Sequence, residues 1–182
     1  MIKDRVEIRL SGAGGQGLLL AGVILAEAAS IYDGINATQT QSYGPEARGG
    51  ASRSEVIISR DEILFPKTEN IDVLLCLTQK SFDEYIKGLK EDGTVIVDSF
   101  YVKNITANYR KKISIPFTSI ANEEFGTSLV VNIMALGAIT AVTECVSEEA
   151  FLKAVASRVP KGTEDMNRKA AKRGMELAKE QL

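Results

Sequence analysis

The stretch Val6-Glu7-Ile8-Arg9-Leu10-Ser11-Gly12-Ala13-Gly14-Gly15-Gln16-Gly17, followed by the apolar run Leu18–Ala26, decides the fold. Val6 to Leu10 alternates apolar and charged residues, the period of a strand with one face less buried than the other. Gly12 to Gly17 is a loop of four glycines in six residues that fits G-x-G-x-x-G. Leu18 to Tyr32 is rich in Leu, Ala and Ile and predicts a long helix, with Gly34 where a helix C-terminal glycine belongs. Ile35 to Thr40 reads as a second strand, so the opening forty residues predict a βαβ unit.

Outward from this unit the same grammar continues. Ser42-Tyr43-Gly44-Pro45-Glu46-Ala47-Arg48-Gly49-Gly50 holds three glycines and a proline, so it is a shaped loop. Ser54–Ser59 reads as a strand. Ile71–Thr78 is almost wholly apolar, as a buried central strand of a parallel sheet is. Ser81–Leu89 predicts a short helix closed by the turn Glu91-Asp92-Gly93; Thr94–Asp98 and Lys112–Ile115 predict two more strands. The last third is helical. Leu129–Val142 is apolar nearly all round, and such a helix must be covered on every side. Either its own domain wraps it or another subunit completes the cover. Ser147 caps a helix begun by Glu148-Glu149, Pro160 ends it, and Thr163 is placed to cap a last helix with Met166, Ala170, Gly174 and Leu177 on one face. The expected fold is α/β: a three-layer α/β/α arrangement with a largely parallel sheet, a Rossmann-like start, and C-terminal helices from about residue 128 to 182 packed on a single domain spanning 1–182.

Composition narrows the chemistry. The chain has 182 residues, a formal net charge of −2 and no histidine. A nearly neutral chain has no basic field to recruit nucleic acid or an anionic membrane. Without histidine no Ser-His-Asp or Cys-His site is possible within the chain, nor a His-ligated metal. The two cysteines, Cys76 and Cys145, fall short of the four thiolates of an ordinary iron–sulfur cluster. Cys76 lies in an apolar run and reads as a core residue. Met1–Arg9 has no apolar export segment, and neither Leu18–Ala26 nor Leu129–Val142 reaches the ~18–20 residues a membrane span needs. The expected location is cytoplasmic.

The glycine loop has the context that an anion site needs, after a strand and before a helix whose N-terminal N–H groups are free. A dinucleotide site also needs an acidic residue at the end of the second strand. That strand ends Thr38-Gln39-Thr40-Gln41, and Asp33 precedes it. A dinucleotide, another phosphate-bearing ligand and a purely structural turn all remain open on these residues. The candidate contacts are Gly12, Gly14, Gly15, Gln16 and Gly17 from the first loop, and Tyr43, Arg48, Gly49, Gly50 and Arg53 from the second, which is expected to emerge beside it. Arg48 and Arg53 are placed as anion clamps, though Glu46 could pair with either as scaffolding. No residue is assigned a catalytic role.

Taken together, Gly12-Ala13-Gly14-Gly15-Gln16-Gly17, the Ala-rich helix behind it and Ser42–Gly50 resemble the gamma subunit of 2-oxoacid:ferredoxin oxidoreductases. The Tyr-Gly-Pro-Glu-x-Arg-Gly-Gly form is most similar to the 2-oxoglutarate branch. The resemblance runs from about Val6 to Lys179. It implies a complex that converts a 2-oxoacid and coenzyme A to acyl-CoA and carbon dioxide with reduction of ferredoxin. It also implies that this chain is inactive alone and binds no cofactor by itself. Thiamine diphosphate and iron–sulfur clusters then belong to alpha, beta and in some complexes delta partners. In single-chain relatives, the domain similar to this one supplies basic loop residues near coenzyme A. Arg48 is the matching candidate, although those relatives carry lysines there. Isolated, the chain is expected to self-associate. Two other classes stand beside this one: a stand-alone NAD(P)- or flavin-binding oxidoreductase, and an assembly module without a ligand.

Overall fold

Six strands form one mixed sheet in the order β2-β3-β1-β4-β5-β6. They are β1 (Arg5–Ala13), β2 (Asn36–Gln41), β3 (Ala51–Ser59), β4 (Ile71–Cys76), β5 (Leu89–Asp98) and β6 (Lys111–Ile115). The computed structural model describes residues 4–41, 51–105 and 111–182. β1, β4, β5 and β6 pair in parallel, and β3 runs antiparallel to both β1 and β2.

The expected βαβ unit is therefore split. β3 lies between β1 and β2, in register with β1 from Arg5↔Ser59 to Ala13↔Ala51. Composition explains the exchange. β2 is Asn-Ala-Thr-Gln-Thr-Gln, with no residue fully buried, and suits an edge. β3 carries Val56, Ile57 and Ile58, which are buried as an interior strand requires. The turn expected at Glu91-Asp92-Gly93 is instead absorbed into β5, where the pairing with β4 shifts register between Ile71 and Val73.

The helices divide unevenly between the two faces. On one side lie α1 (Leu18–Glu27, continued by a wider π turn to Tyr32), α3 (Phe117–Phe125), α4 (Val131–Thr143), α5 (Glu148–Arg158) and α6 (Glu164–Lys179). On the other, α2 (Gln79–Tyr85) covers a smaller core of Leu74, Cys76, Phe82, Val95 and Val97.

α4 settles the question its sequence leaves open. Residues 131–140 are all buried, and they are buried by the chain's own helices. α6 comes close enough because both helices carry glycine at the crossing. A Cβ on Gly137 would overlap the Ala171 carbonyl oxygen, and one on Gly174 would overlap that of Met134. The apolar helix thus offers no broad free face, which removes the reason for expecting self-association through it; Leu129, just before it, is 80% exposed. The α6 face is also finer-grained than expected. Ala170, Ala171, Gly174, Met175 and Ala178 are buried, whereas Met166 and Leu177 are half-buried. Ser147 caps α5 by accepting from the Ala150 N–H at 3.1 Å. Thr163 holds the cap position of α6, but its hydroxyl donates to the Pro160 carbonyl and makes no cap bond.

Candidate functional site

Parallel strands carry their ligands at their carboxyl ends, and there the glycine loop turns from β1 into α1. Gly15 (φ 87°) and Gly17 (φ 71°) take the left-handed conformation that L side chains rarely adopt. Gln16 folds back into the loop: its Oε1 accepts from the Ala13 N–H at 2.7 Å and fills the space a Cβ on Gly12 would need. Gly17 is held by Asn132 of α4, whose Nδ2 donates to the Gly17 carbonyl at 3.1 Å. Gly12, Gln16 and Gly17 are thus engaged with the chain's own atoms. Gly14 and Gly15 are exposed, and a Cβ on either would meet nothing within 4 Å among the described residues.

Among the described residues, the α1 N-terminus behind them carries no side-chain cap, and its first turn holds no acidic residue. Its orphan N–H groups and positive dipole end suit an anion. Among the same residues α3 and α4, like α1, lack both a side-chain cap and an acidic first turn, whereas α2, α5 and α6 have one or the other. α2 has a capping box from Thr78 and Ser81, α5 has Ser147 with Glu148 and Glu149, and α6 begins with Glu164 and Asp165.

Beside the loop opens a cleft of about 430 Å³, walled by Gln16, Gly17, Tyr101, Asn132, Thr163 and Asn167 among others. A larger one of about 600 Å³ lies at the opposite end of the molecule, against Arg60, Cys145 and Lys179. The open helix N-terminus sits at the smaller cleft, which is therefore the better candidate. Asp98, buried at the end of β5, holds Thr118 of the cleft wall from behind. Its carboxylate accepts from the Thr118 hydroxyl (2.5 Å) and N–H (3.2 Å) and from the Phe100 N–H (3.0 Å). Burial raises its pKa, and these hydrogen bonds, the Thr118 hydroxyl first, pull it partly back.

Of the second loop, Tyr43, Arg48, Gly49 and Gly50 lie outside the described residues. The residues that bound it are placed: Gln41 pairs with Ser54, and Ala51 pairs with Ala13 at the start of the glycine loop. Arg53 goes elsewhere. It projects from β3 over the Tyr85 ring, 5.4 Å from its centroid, with its Nε 4.0 Å from Glu55. Glu55 also pairs with Arg9 at 2.5 Å, and Arg9 covers the same ring. Arg53 thus belongs to a cluster packed with α2, on the face away from α1. Asp33 is engaged too, accepting from the Ser147 N–H and hydroxyl at 2.6 and 2.7 Å. Sequence reasoning missed Asn132, Asp98 and Thr118; Asn132 left a signal, being the one amide in the run Leu129–Val142.

The donor set does not fit an iron–sulfur cluster. Cys76 lies in the α2-side core and Cys145 in the helix-side core. Burial pushes their thiols up to about 12 and about 11, respectively. Among the described residues no helix is long and apolar enough to cross a membrane.

Fold and site together define an α/β chain with a glycine loop and an uncapped helix N-terminus at the carboxyl edge of a mixed sheet. The chain belongs to the pyruvate ferredoxin/flavodoxin oxidoreductase family, whose pattern matches residues 7–177. It is 52% identical to the 2-oxoglutarate synthase subunit KorC of Methanocaldococcus jannaschii, over 98% of this chain and 97% of that protein. Among solved structures it matches the gamma subunit of a keto/oxoacid ferredoxin oxidoreductase from Geobacter sulfurreducens PCA. There the TM-score is 0.88 and the identity 52%, over 96% of this chain and 99% of that one. The fold also recurs within a 2-oxoglutarate:ferredoxin oxidoreductase from Magnetococcus marinus solved with 2-oxoglutarate, coenzyme A and succinyl-CoA. The TM-score is 0.82 at 21% identity, over 98% of this chain and 32% of that one, a likeness of fold alone.

Proposed function

We propose that this chain is the gamma subunit of a cytoplasmic 2-oxoglutarate:ferredoxin oxidoreductase, folding as one unit over 1–182 and contacting coenzyme A through its glycine loop. The observation that carries the reading is the open α1 N-terminus behind Gly14 and Gly15, in a chain similar end to end to a 2-oxoglutarate synthase subunit. In the complex, 2-oxoglutarate and coenzyme A are converted to succinyl-CoA and carbon dioxide with reduction of ferredoxin. Thiamine diphosphate and iron–sulfur clusters, held by alpha, beta and delta partners, supply the carbanion and electron chemistry.

This chain's own residues bind and orient. The amides of the first α1 turn receive a phosphate of coenzyme A, and Gly14 and Gly15 let it approach the backbone. In this proposal Arg48 adds the full positive charge that the loop lacks, and Tyr43, Gly49 and Gly50 are further contacts. Gly12, Gln16 and Gly17 keep the loop in shape, and Arg53 serves as scaffolding through Tyr85 and Glu55. A dinucleotide reading is weaker than the sequence alone suggests. β3 separates β1 from β2, so the strand that would hold a ribose is not the loop's neighbour.

Co-expression with the partner chains tests the proposal. The purified complex should reduce ferredoxin with 2-oxoglutarate only when coenzyme A is present, and the isolated chain should do neither step. Reduction of a viologen dye by the isolated chain with a 2-oxoacid would overturn it. Arg48→Ala should raise the apparent coenzyme A constant roughly 10- to 150-fold, the worth of a charge-assisted contact of about 1.5–3 kcal/mol. Coenzyme A-independent decarboxylation should persist; equal loss of both steps would make Arg48 scaffolding.

A further inference from the structure

We infer that Asn132 is a positioning residue for the coenzyme loop: from within α4 it holds Gly17 so that the α1 amides face outward. This rests on the coenzyme A reading proposed above.

Asn132 is 6% exposed and flanked by Val131, Ile133 and Met134, all buried. A residue that merely filled the α1–α4 contact would be apolar like these neighbours, because a buried amide is costly unless each polar atom is paired. Both atoms here are paired, and the pairing fixes which way the amide points. Its Oδ1 accepts from the Ile133 N–H at 2.9 Å, so Nδ2 is the atom that faces the Gly17 carbonyl, at 3.1 Å. That carbonyl also accepts from the Ala21 N–H at 3.0 Å, the first backbone bond of α1. Asn132 therefore grips the residue at which loop becomes helix. Gly17 is in the left-handed conformation, and a side chain on it would overlap Asn132, so loop and amide are shaped to each other. Asn132 and Gly17 also wall the cleft beside the loop. The consequence is directional: with Gly17 held from behind, the free N–H groups of the first turn keep the orientation an incoming phosphate needs.

The test uses the assembled complex. Asn132→Asp keeps size and the acceptor toward Ile133 but sets an oxygen against the Gly17 carbonyl; Asn132→Ala removes both bonds. Gly14→Asp, at a position with open space and ordinary φ, puts a negative charge at the loop mouth and reports on the coenzyme reading itself. Assembly is read by gel filtration, direct coenzyme A binding by calorimetry, and kcat and KM for each substrate by ferredoxin reduction. Both Asn132 variants should raise the coenzyme A KM and Kd roughly tenfold, about 1.4 kcal/mol. The 2-oxoglutarate KM and kcat should stay within twofold. If Gly14→Asp weakens coenzyme A and the Asn132 variants do not, the positioning role is wrong and the coenzyme reading stands. If none of the three changes coenzyme A binding, the coenzyme reading fails and takes this inference with it. If both Asn132 variants fail to assemble, Asn132 is a structural residue and the inference is overturned.

Discussion

Glycines occupy two regions of this molecule for opposite reasons. Where α4 crosses α6, Gly137 and Gly174 face backbone carbonyls of the opposing helix, and a methyl group in either place would overlap main chain. In the glycine loop, Gly14 and Gly15 face open space. The first pair is demanded by the chain's own packing, since interiors are filled to crystal-like density. The second is not demanded by any contact within the described residues. At Gly15 the left-handed φ of 87° already calls for glycine; Gly14, with no such φ, is the position that neither packing nor backbone conformation demands among the described residues. Gly17 lies between these cases, constrained by φ and by Asn132 but at the border of the open loop.

Substitutions can break or sharpen this contrast. The largest effect is expected from Gly174→Ala. Its methyl group meets the Met134 carbonyl, and overpacking of about 3 kcal/mol outweighs the roughly 1 kcal/mol gained in helix propensity. Thermal unfolding should drop by several degrees, at about 2–4 °C per kcal/mol for a chain of this size. An unchanged melting temperature would mean that α4 and α6 can separate freely and that the close crossing is dispensable. Gly17→Ala should cost about 1–2 kcal/mol from the left-handed conformation alone, and coenzyme A affinity should fall with it. A drop in stability with intact affinity would place Gly17 with the packing glycines.

Asp98, buried behind Thr118 of the cleft wall, gives a pH signature. Its folded pKa is raised above the unfolded value, so between the two the native state binds more protons. Stability should therefore fall as pH rises from the ordinary carboxylate range through the raised value, with Asp98's full contribution present below that window. Asp98→Asn should flatten that limb of a denaturant-melt series across pH. A slope equal to wild type would assign the effect to other carboxylates. The smallest effect is expected from Gly14→Ala, whose unfolding free energy should stay within about 0.5 kcal/mol of wild type, since its methyl group touches nothing among the described residues. A large loss of stability there would erase the distinction between the two glycine regions.

Much of this was legible in residues alone. Alternation in Val6–Leu10, the glycine spacing and the apolar run behind it specified strand, loop and helix, because each is a local pattern of period and φ tolerance. Buried strands at Ile71–Cys76 and Thr94–Asp98 were legible from the apolar runs Val73–Cys76 and Val95–Val97 at their centres. The missing histidine and scarce cysteines set the chemistry the chain cannot perform, as composition needs no structure. What sequence could not supply was adjacency. The insertion of β3 between β1 and β2 depends on which strand has two apolar faces to bury, a competition decided across the whole sheet. Arg53 reads like an anion clamp in sequence, yet strand alternation carries it to the α2 face, over Tyr85. Whether α4 meets its own domain or a partner turned on how closely α6 can approach, and that distance is set by two glycines thirty-seven residues apart. Asn132 stood out as a polar residue in an apolar helix, but its partner, Gly17, lies 115 residues away. Local patterns write the elements; the tertiary structure alone decides which of them touch, because burial and hydrogen-bond pairing are satisfied between segments distant in sequence.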